Sequence, residues 1–236
     1  MRAWPVDRTG AVRHCLYVRE EQTNREFRFV LPGSPVSHDE LDAVGRQIET
    51  LRDDADYLVF SGSLPPGAPP DCYIDLAEKA PSARVVVDVS GEALRRAARS
   101  GVFLLKPNVR ELAELAGCDR FDSDADIARA AREVVDAGGA QYVLVSLAAG
   151  GAQLVSAEVT LRLHAPTVKV DSTVGAGDSM VAGVVLGFAQ GRSPEQAARL
   201  GVAAGTAAVK TPGTELCRSE DAWRLVEDVS VSIIEP

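Results

Sequence analysis

The hydrophobic and polar positions along the chain predict short strands alternating with amphipathic helices. Residues 12–19 and 25–31 read as two strands joined by the polar turn Glu20–Asn24, a hairpin of mixed pattern set apart from the core. Leu31-Pro-Gly-Ser-Pro-Val36 breaks this pattern, and Ser37 with Glu40 has the spacing of a capping box that opens a helix to about Leu51. A short apolar run, Tyr57–Phe60, leads into Ser61-Gly-Ser-Leu-Pro-Pro-Gly67. The spacing then predicts a helix over about 71–80, a strand over Arg84–Val87 and a helix over about 91–99. A strand over Val102–Leu105 follows, with helices over about 108–116 and 123–137, the latter capped by Ser123. Such alternation argues for a mostly parallel sheet covered by helices on both faces. Two β-rich segments come next, Tyr142–Ser146 and Ala152–Leu163 with a turn near Ser156–Glu158. After an apolar helical run to about Gln190, two helices open at Ser193-Pro194 with Gln196, and at Ser219 with Glu220 and Asp221.

The stretch Asp171-Ser-Thr-Val-Gly-Ala-Gly-Asp-Ser-Met-Val-Ala-Gly183 organises the candidate chemistry. Gly175 and Gly177 permit close backbone approach, and the first amides of the helix that follows have no internal partners. Gly175, Ala176 and Gly177 therefore offer N–H groups to an anion. Asp178 stands at the rim of that hole, where a carboxylate is repelled by phosphate and is best used to take a proton from an attacking hydroxyl. Its simpler reading is a helix cap. In α/β sheets ligands sit at the carboxyl ends of strands, and the loops 61–67, 88–91, 106–111, 146–151 and 171–178 are all expected there.

Each further motif carries two readings. In Lys106-Pro-Asn108-Val-Arg-Glu111, Asn108 and Glu111 share a helix face and suit either a hydrated Mg²⁺ beside phosphates or a helix cap. Ser61-Gly-Ser63-Leu-Pro-Pro-Gly67 is a sugar- or phosphate-binding loop or an ordinary turn. Ser146 and the amides after it suit nucleotide phosphate or ribose, or a hairpin connection. The small-residue stripe Gly201-Val-Ala-Ala-Gly-Thr206-Ala-Ala is a helix-packing face or a wall for an adenine ring.

With 236 residues, 46% of them hydrophobic, the chain can bury a full core. A net charge of −9 without a basic run argues against nucleic acid and against an anionic membrane surface. Cys15, Cys72, Cys118 and Cys217 are too scattered for a ligand set, and His14, His38 and His164 lack metal-ligand spacing. No apolar run reaches the ~18 residues of a membrane span, and the opening MRAWPVDR lacks the apolar centre of a signal peptide. The expected location is the cytoplasm. There is no Gly-Lys dipeptide for a P-loop, no complete dinucleotide fingerprint and no Gly-x-Ser-x-Gly elbow.

Taken in order, Glu26-Phe-Arg-Phe-Val-Leu-Pro-Gly33, Ser61–Gly67, Asp88-Val-Ser-Gly-Glu-Ala-Leu94, Lys106-Pro-Asn108 with Glu111, Ser172–Val181 and Gly201–Gly205 resemble the ribokinase-like, or PfkB, family of sugar kinases. The likeness runs from about Arg13 to Cys217. It implies a three-layer α/β/α sandwich over residues 1–236, with residues 12–31 as a β lid that also pairs across a homodimer. It makes Asp178 the catalytic base and Gly175, Ala176 and Gly177 the amide hole. Lys106 would lie near the γ-phosphate of ATP, and Asn108 with Glu111 would organise Mg²⁺. Ser146, Thr173 and Thr206 would line the nucleotide site, while Arg13 and Ser63 would touch a small sugar phosphate. The implied reaction converts fructose 6-phosphate to fructose 1,6-bisphosphate. The alternatives are a 1-phosphofructokinase, a tagatose-6-phosphate kinase, or a nucleotide-binding remnant without turnover. Three departures from the family stand out: Ser172 stands where many members carry Asp, Ala148 replaces a glycine of the nucleotide loop, and the family's first strands, sugar-holding aspartate and Gly-Gly-Asn motif do not occur before Arg13, which is expected to reflect either a start upstream of Met1 or a genuine fragment.

Overall fold

The computed structural model describes residues 3–20, 22–23 and 25–234. The turn expected between the first two strands includes Glu21 and Asn24, which lie outside the described residues. On either side of it, β1 (Cys15–Arg19) and β2 (Glu26–Val30) pair antiparallel, with Leu16 opposite Phe29, Tyr17 opposite Arg28 and Val18 opposite Phe27. Side chains alternate across a strand, so Leu16, Val18, Phe27 and Phe29 share one face while Tyr17, Arg19 and Arg28 share the other. All four apolar residues are exposed.

Seven further strands form one sheet in chain order: β3 (Tyr57–Ser61), β4 (Arg84–Asp88), β5 (Val102–Leu105), β6 (Ala140–Ser146), β7 (Ala152–Val155), β8 (Thr160–His164) and β9 (Ser230–Ile233). β3 to β6 run parallel, and β7, β8 and β9 join in alternating antiparallel pairs. Among the described residues no strand pairs with the outer edge of β3.

The core follows the two-residue period of the strands. Val87, Leu105, Val143, Val145 and Val155 pack under one layer, built from α1 (His38–Leu51), α2 (Cys72–Ala77), α3 (Gly91–Ala97), α4 (Val109–Ala116) and α5 (Asp124–Asp136). Val86, Leu104, Leu144 and Leu154 face the opposite layer of α6 (Ala176–Ala189), α7 (Pro194–Ala208) and α8 (Ser219–Leu225). Both layers of the expected sandwich are therefore present. Helix starts follow the sequence at Ser37, Asn108, Ser123 and Ser193, whose side chains all cap. Ser219 differs: it is the first helical residue, and Arg218 occupies the cap position without a side-chain bond. β9 was not expected either, because its sequence SVSI alternates over four mostly exposed residues only, too few to distinguish a strand from a loop.

Where α6 crosses α7, the helices meet through small residues. A Cβ on Gly183 would lie 2.7 Å from the Leu200 carbonyl oxygen, and one on Gly187 would lie 2.6 Å from the Ala197 Cα. The stripe on α7 thus serves as a helix-packing face. Gly183→Ala should destabilise the protein by about 1–3 kcal/mol through forced separation of the helices. Ala182→Ser, on the exposed side of α6, should leave the urea midpoint nearly unchanged; equal midpoints for the two variants would contradict this packing.

Candidate active site

Strands β3, β4, β5 and β6 end side by side at Ser61, Asp88, Leu105 and Ser146. The loops that leave these ends form one rim of the sheet, as the sequence led us to expect. The loop before α6 reaches the same rim, because the Ser61 hydroxyl donates to Asp178 Oδ1 at 3.2 Å.

That loop is held by α7. The amides of Asp171 and Ser172 both donate to the Val209 carbonyl, at 2.8 and 3.3 Å, and the Val174 amide donates to the buried Ser172 hydroxyl at 3.2 Å. Gly175 then turns left-handed at φ 77°, a conformation that suits glycine, and α6 starts at Ala176. The first helical bond runs from the Ser179 amide to the Gly175 carbonyl at 2.9 Å. Among the described residues, the amides of Gly175, Ala176 and Gly177 have no acceptor. Asp178 lies within the first helical turn rather than ahead of it, and it is exposed.

Behind the amides sits a buried ion pair. Lys106 is 5% exposed, and its Nζ lies 3.0 Å from Asp88 Oδ1. A Cβ on Gly177 would be 3.6 Å from that Nζ and 4.0 Å from Asp88 Oδ2. Glycine at 177 therefore lets the loop close onto the pair. Burial pushes the Asp88 carboxyl above its usual range and the Asp178 charge adds to this, while the Lys106 ammonium pulls it down. Sequence reasoning assigned no role to Asp88; the available signal was a carboxylate closing the run Arg84-Val-Val-Val-Asp88 at the ligand edge of the sheet.

Asn108 and Glu111 form a capping box. Asn108 Oδ1 accepts from the Arg110 and Glu111 amides at 2.9 and 3.0 Å, and Glu111 Oε2 accepts from the Asn108 amide at 2.8 Å. The Asn108 oxygen expected on Mg²⁺ is thus spent on the helix start. Burial raises the Glu111 carboxyl, against the pull of the Asn108 amide and of Lys106. No group of three or more His, Cys, Asp and Glu suited to a metal occurs among the described residues. These residues fit Mg²⁺ that arrives hydrated on phosphates beside a single protein carboxylate, and the unpartnered amides fit the phosphates themselves.

The other expected residues divide. Thr173, Gly175, Gly177 and Asp178 line a cleft of about 550 Å³ that Tyr17 and Arg28 of the hairpin close from the other side. Ser146 ends β6 beside Asn108, its amide donating to the Pro107 carbonyl at 3.0 Å. Thr206 is buried within α7, its hydroxyl donating to the Val202 carbonyl one helical turn back at 2.8 Å. Arg13 and Ser63 come together: the guanidinium donates to the Ser63 hydroxyl and, at 3.0 Å, to the Leu64 carbonyl. Ala148 adopts φ 51°, and no other described non-glycine residue has positive φ.

A family model for pfkB family carbohydrate kinases matches residues 5–221. An ATP-dependent 6-phosphofructokinase isozyme 2 of Escherichia coli is 40% identical over 223 residues, which cover 93% of this chain and 72% of that protein. A 1-phosphofructokinase of Bacillus subtilis is 37% identical over 202 residues, covering 85% of this chain and 65% of that protein. The tetrameric inhibited form of phosphofructokinase-2 from Escherichia coli superposes with a TM-score of 0.83 at 36% identity, covering 92% of this chain and 71% of that one. The chain therefore spans between 65% and 72% of the length of these relatives.

The buried pair sets a pH dependence. A carboxyl whose folded pKa is raised charges a cost to the fold at pH above that value, and the cost disappears as pH falls through it. Lys106→Met removes the cation that offsets this cost for Asp88. The variant should be less stable than the parent by about 3–5 kcal/mol at neutral pH, and urea melts should show the deficit narrowing toward the ordinary carboxylate range; a deficit independent of pH would refute the pairing.

Proposed function

The chain belongs to the pfkB family of carbohydrate kinases, and from that premise we propose that it transfers the γ-phosphoryl of ATP to a hydroxyl of a sugar phosphate, with Asp178 as the base. The observation that carries this reading is the exposed Asp178 carboxylate standing beside three amides without acceptors. A hydroxyl placed against Asp178 gives up its proton as its oxygen attacks phosphorus. The new O–P bond forms while the bond to the ADP leaving oxygen breaks, and the proton stays on the carboxylate. The amides of Gly175, Ala176 and Gly177 hold the equatorial oxygens, whose charge is spread in such transition states. Mg²⁺ bound to the phosphates would neutralise further charge, with Glu111 as the carboxylate of the expected pair.

Several side chains take supporting parts. The Ser61 hydroxyl fixes one Asp178 oxygen and leaves the other for the substrate. Lys106, neutralised in part by Asp88, brings positive charge to the far side of the amide loop. Ser146 and Thr173 line the nucleotide side, and Arg13 with Ser63 receives the phosphate already on the sugar. Fructose 6-phosphate is the acceptor favoured by the similarity to an ATP-dependent 6-phosphofructokinase and by Phe27-Arg-Phe-Val-Leu-Pro-Gly33. The similarity to a 1-phosphofructokinase keeps fructose 1-phosphate as the second reading. Residues 1–236 act in this scheme as one kinase unit, with the 12–31 hairpin as its lid.

The hairpin also supports a homodimer. Its exposed outer face of Leu16, Val18, Phe27 and Phe29 has the composition of a core, and a second copy buries such a face through the same residues. No helix among the described residues is long and apolar enough to cross a membrane.

Two measurements test these assignments. Asp178→Asn should lower kcat with ATP and fructose 6-phosphate by about 10²–10⁴-fold while calorimetry finds MgATP affinity little changed; an undiminished rate would remove Asp178 as base, and faster turnover of fructose 1-phosphate by the parent would exchange the acceptor. Leu16→Glu combined with Phe29→Glu should convert a dimer into a monomer in sedimentation velocity, and a parent that sediments as a monomer would end the lid-pairing proposal.

A further inference from the structure

We propose that Arg28 contacts the terminal phosphate of the bound nucleotide and stays on that phosphoryl group as it transfers, an inference that rests on the kinase reading of the same cleft. The strand register places Arg28 opposite Tyr17, on the hairpin face turned away from Leu16, Val18, Phe27 and Phe29. Both residues line the cleft in front of Gly175, Gly177 and Asp178. The Arg28 guanidinium lies 5.6 Å from the centroid of the Tyr17 ring. Stacking of this kind holds the cation without using up its donors.

The other cations around the site are committed elsewhere. Lys106 is paired with Asp88 at 3.0 Å. Arg13 donates to Ser63 and Leu64, and Arg19 donates to the Asp171 carbonyl at 3.3 Å. The amides of the hole are neutral dipoles, and Asp178 beside them is an anion. A terminal phosphate seated there brings more negative charge toward Asp178. A guanidinium facing the phosphate from the lid offsets that repulsion, and its planar fork matches two phosphoryl oxygens. Arg28 gains and loses no proton in the reaction. The Arg19 bond to the Asp171 carbonyl ties the hairpin to the loop that carries the amides, so the guanidinium faces the cleft through which the phosphoryl group moves.

The test compares the parent with Arg28→Ala, Arg28→Lys and, as a control on the hairpin, Tyr17→Phe. Calorimetric titration with MgATP and with MgADP reads the contact without turnover. Arg28→Ala should lose the parent's preference for MgATP over MgADP while keeping its MgADP affinity, and Arg28→Lys should retain part of that preference. With fructose 6-phosphate present, Arg28→Ala should lower kcat by about 10²–10³-fold, and added guanidinium ion should restore part of the rate. Equal weakening of both nucleotides, or no change in either, overturns the contact; a kinetic loss confined to the KM for fructose 6-phosphate assigns Arg28 to the acceptor instead and also overturns it. If the parent binds MgATP but phosphorylates no sugar phosphate, the proposed function fails, while the titrations still decide the contact.

Discussion

Three backbone amides without acceptors at the start of α6 are the constraint on which the site depends. Peptide N–H groups are seldom left without a partner, so a segment that ends in such a cradle must be supported from behind. The support is specific: the Val209 carbonyl takes the Asp171 and Ser172 amides, and the Ser172 hydroxyl takes that of Val174. The left-handed Gly175 then starts the helix abruptly. Close packing of Gly183 and Gly187 against α7 fixes the axis along which the amides point. Stability and chemistry meet here, because the same α7 that packs α6 also provides the carbonyl that anchors the loop.

Around this cradle the charges are arranged in depth. Asp88 and Lys106 lie behind it, largely removed from water, whereas Asp178 stands in front and exposed. Burial and the neighbouring Asp178 charge work in the same direction on Asp88, which raises its carboxyl, and only Lys106 opposes them. A lysine alone at that depth would favour an anion on its own side of the loop. Paired with Asp88, it adds a weaker field and a fixed position. The result is a hole that attracts phosphate mainly through oriented N–H groups, with a carboxylate free to accept a proton at its edge.

Much of this was legible in the sequence, for physical reasons that differ from element to element. The alternation of strands and helices is a matter of period, and caps at Ser37, Asn108, Ser123 and Ser193 follow from local hydrogen bonding that needs no tertiary partner. The Gly-Ala-Gly-Asp loop was readable because glycine placement and helix start occur within a few residues. Contacts between distant segments were not. Nothing local says that Asp88 pairs with Lys106, or that the Thr206 hydroxyl turns back to Val202. Nor could spacing alone tell that Asn108 spends its oxygen on two amides, since capping and metal binding require the same residues three apart. β9 was invisible because its pairing with β8, and not its composition, makes it a strand.

The hairpin shows how pattern and environment together reveal more than either does alone. Its sequence looked mixed because a strand pair with apolar residues on one face and Tyr17, Arg19 and Arg28 on the other resembles an ordinary amphipathic edge. In an ordinary edge the apolar face turns inward. Here the arrangement is reversed: Leu16, Val18, Phe27 and Phe29 face outward, and the polar face covers the cleft. Exposing four large apolar residues costs the isolated fold the stabilisation their burial would bring, roughly 25 cal/mol per Å². The cost is recovered if a second copy covers them, and the polar face is then free to serve the cleft. Under that arrangement the lid's position depends on the partner copy, so association and the approach of Arg28 to the phosphate site are aspects of one structural element.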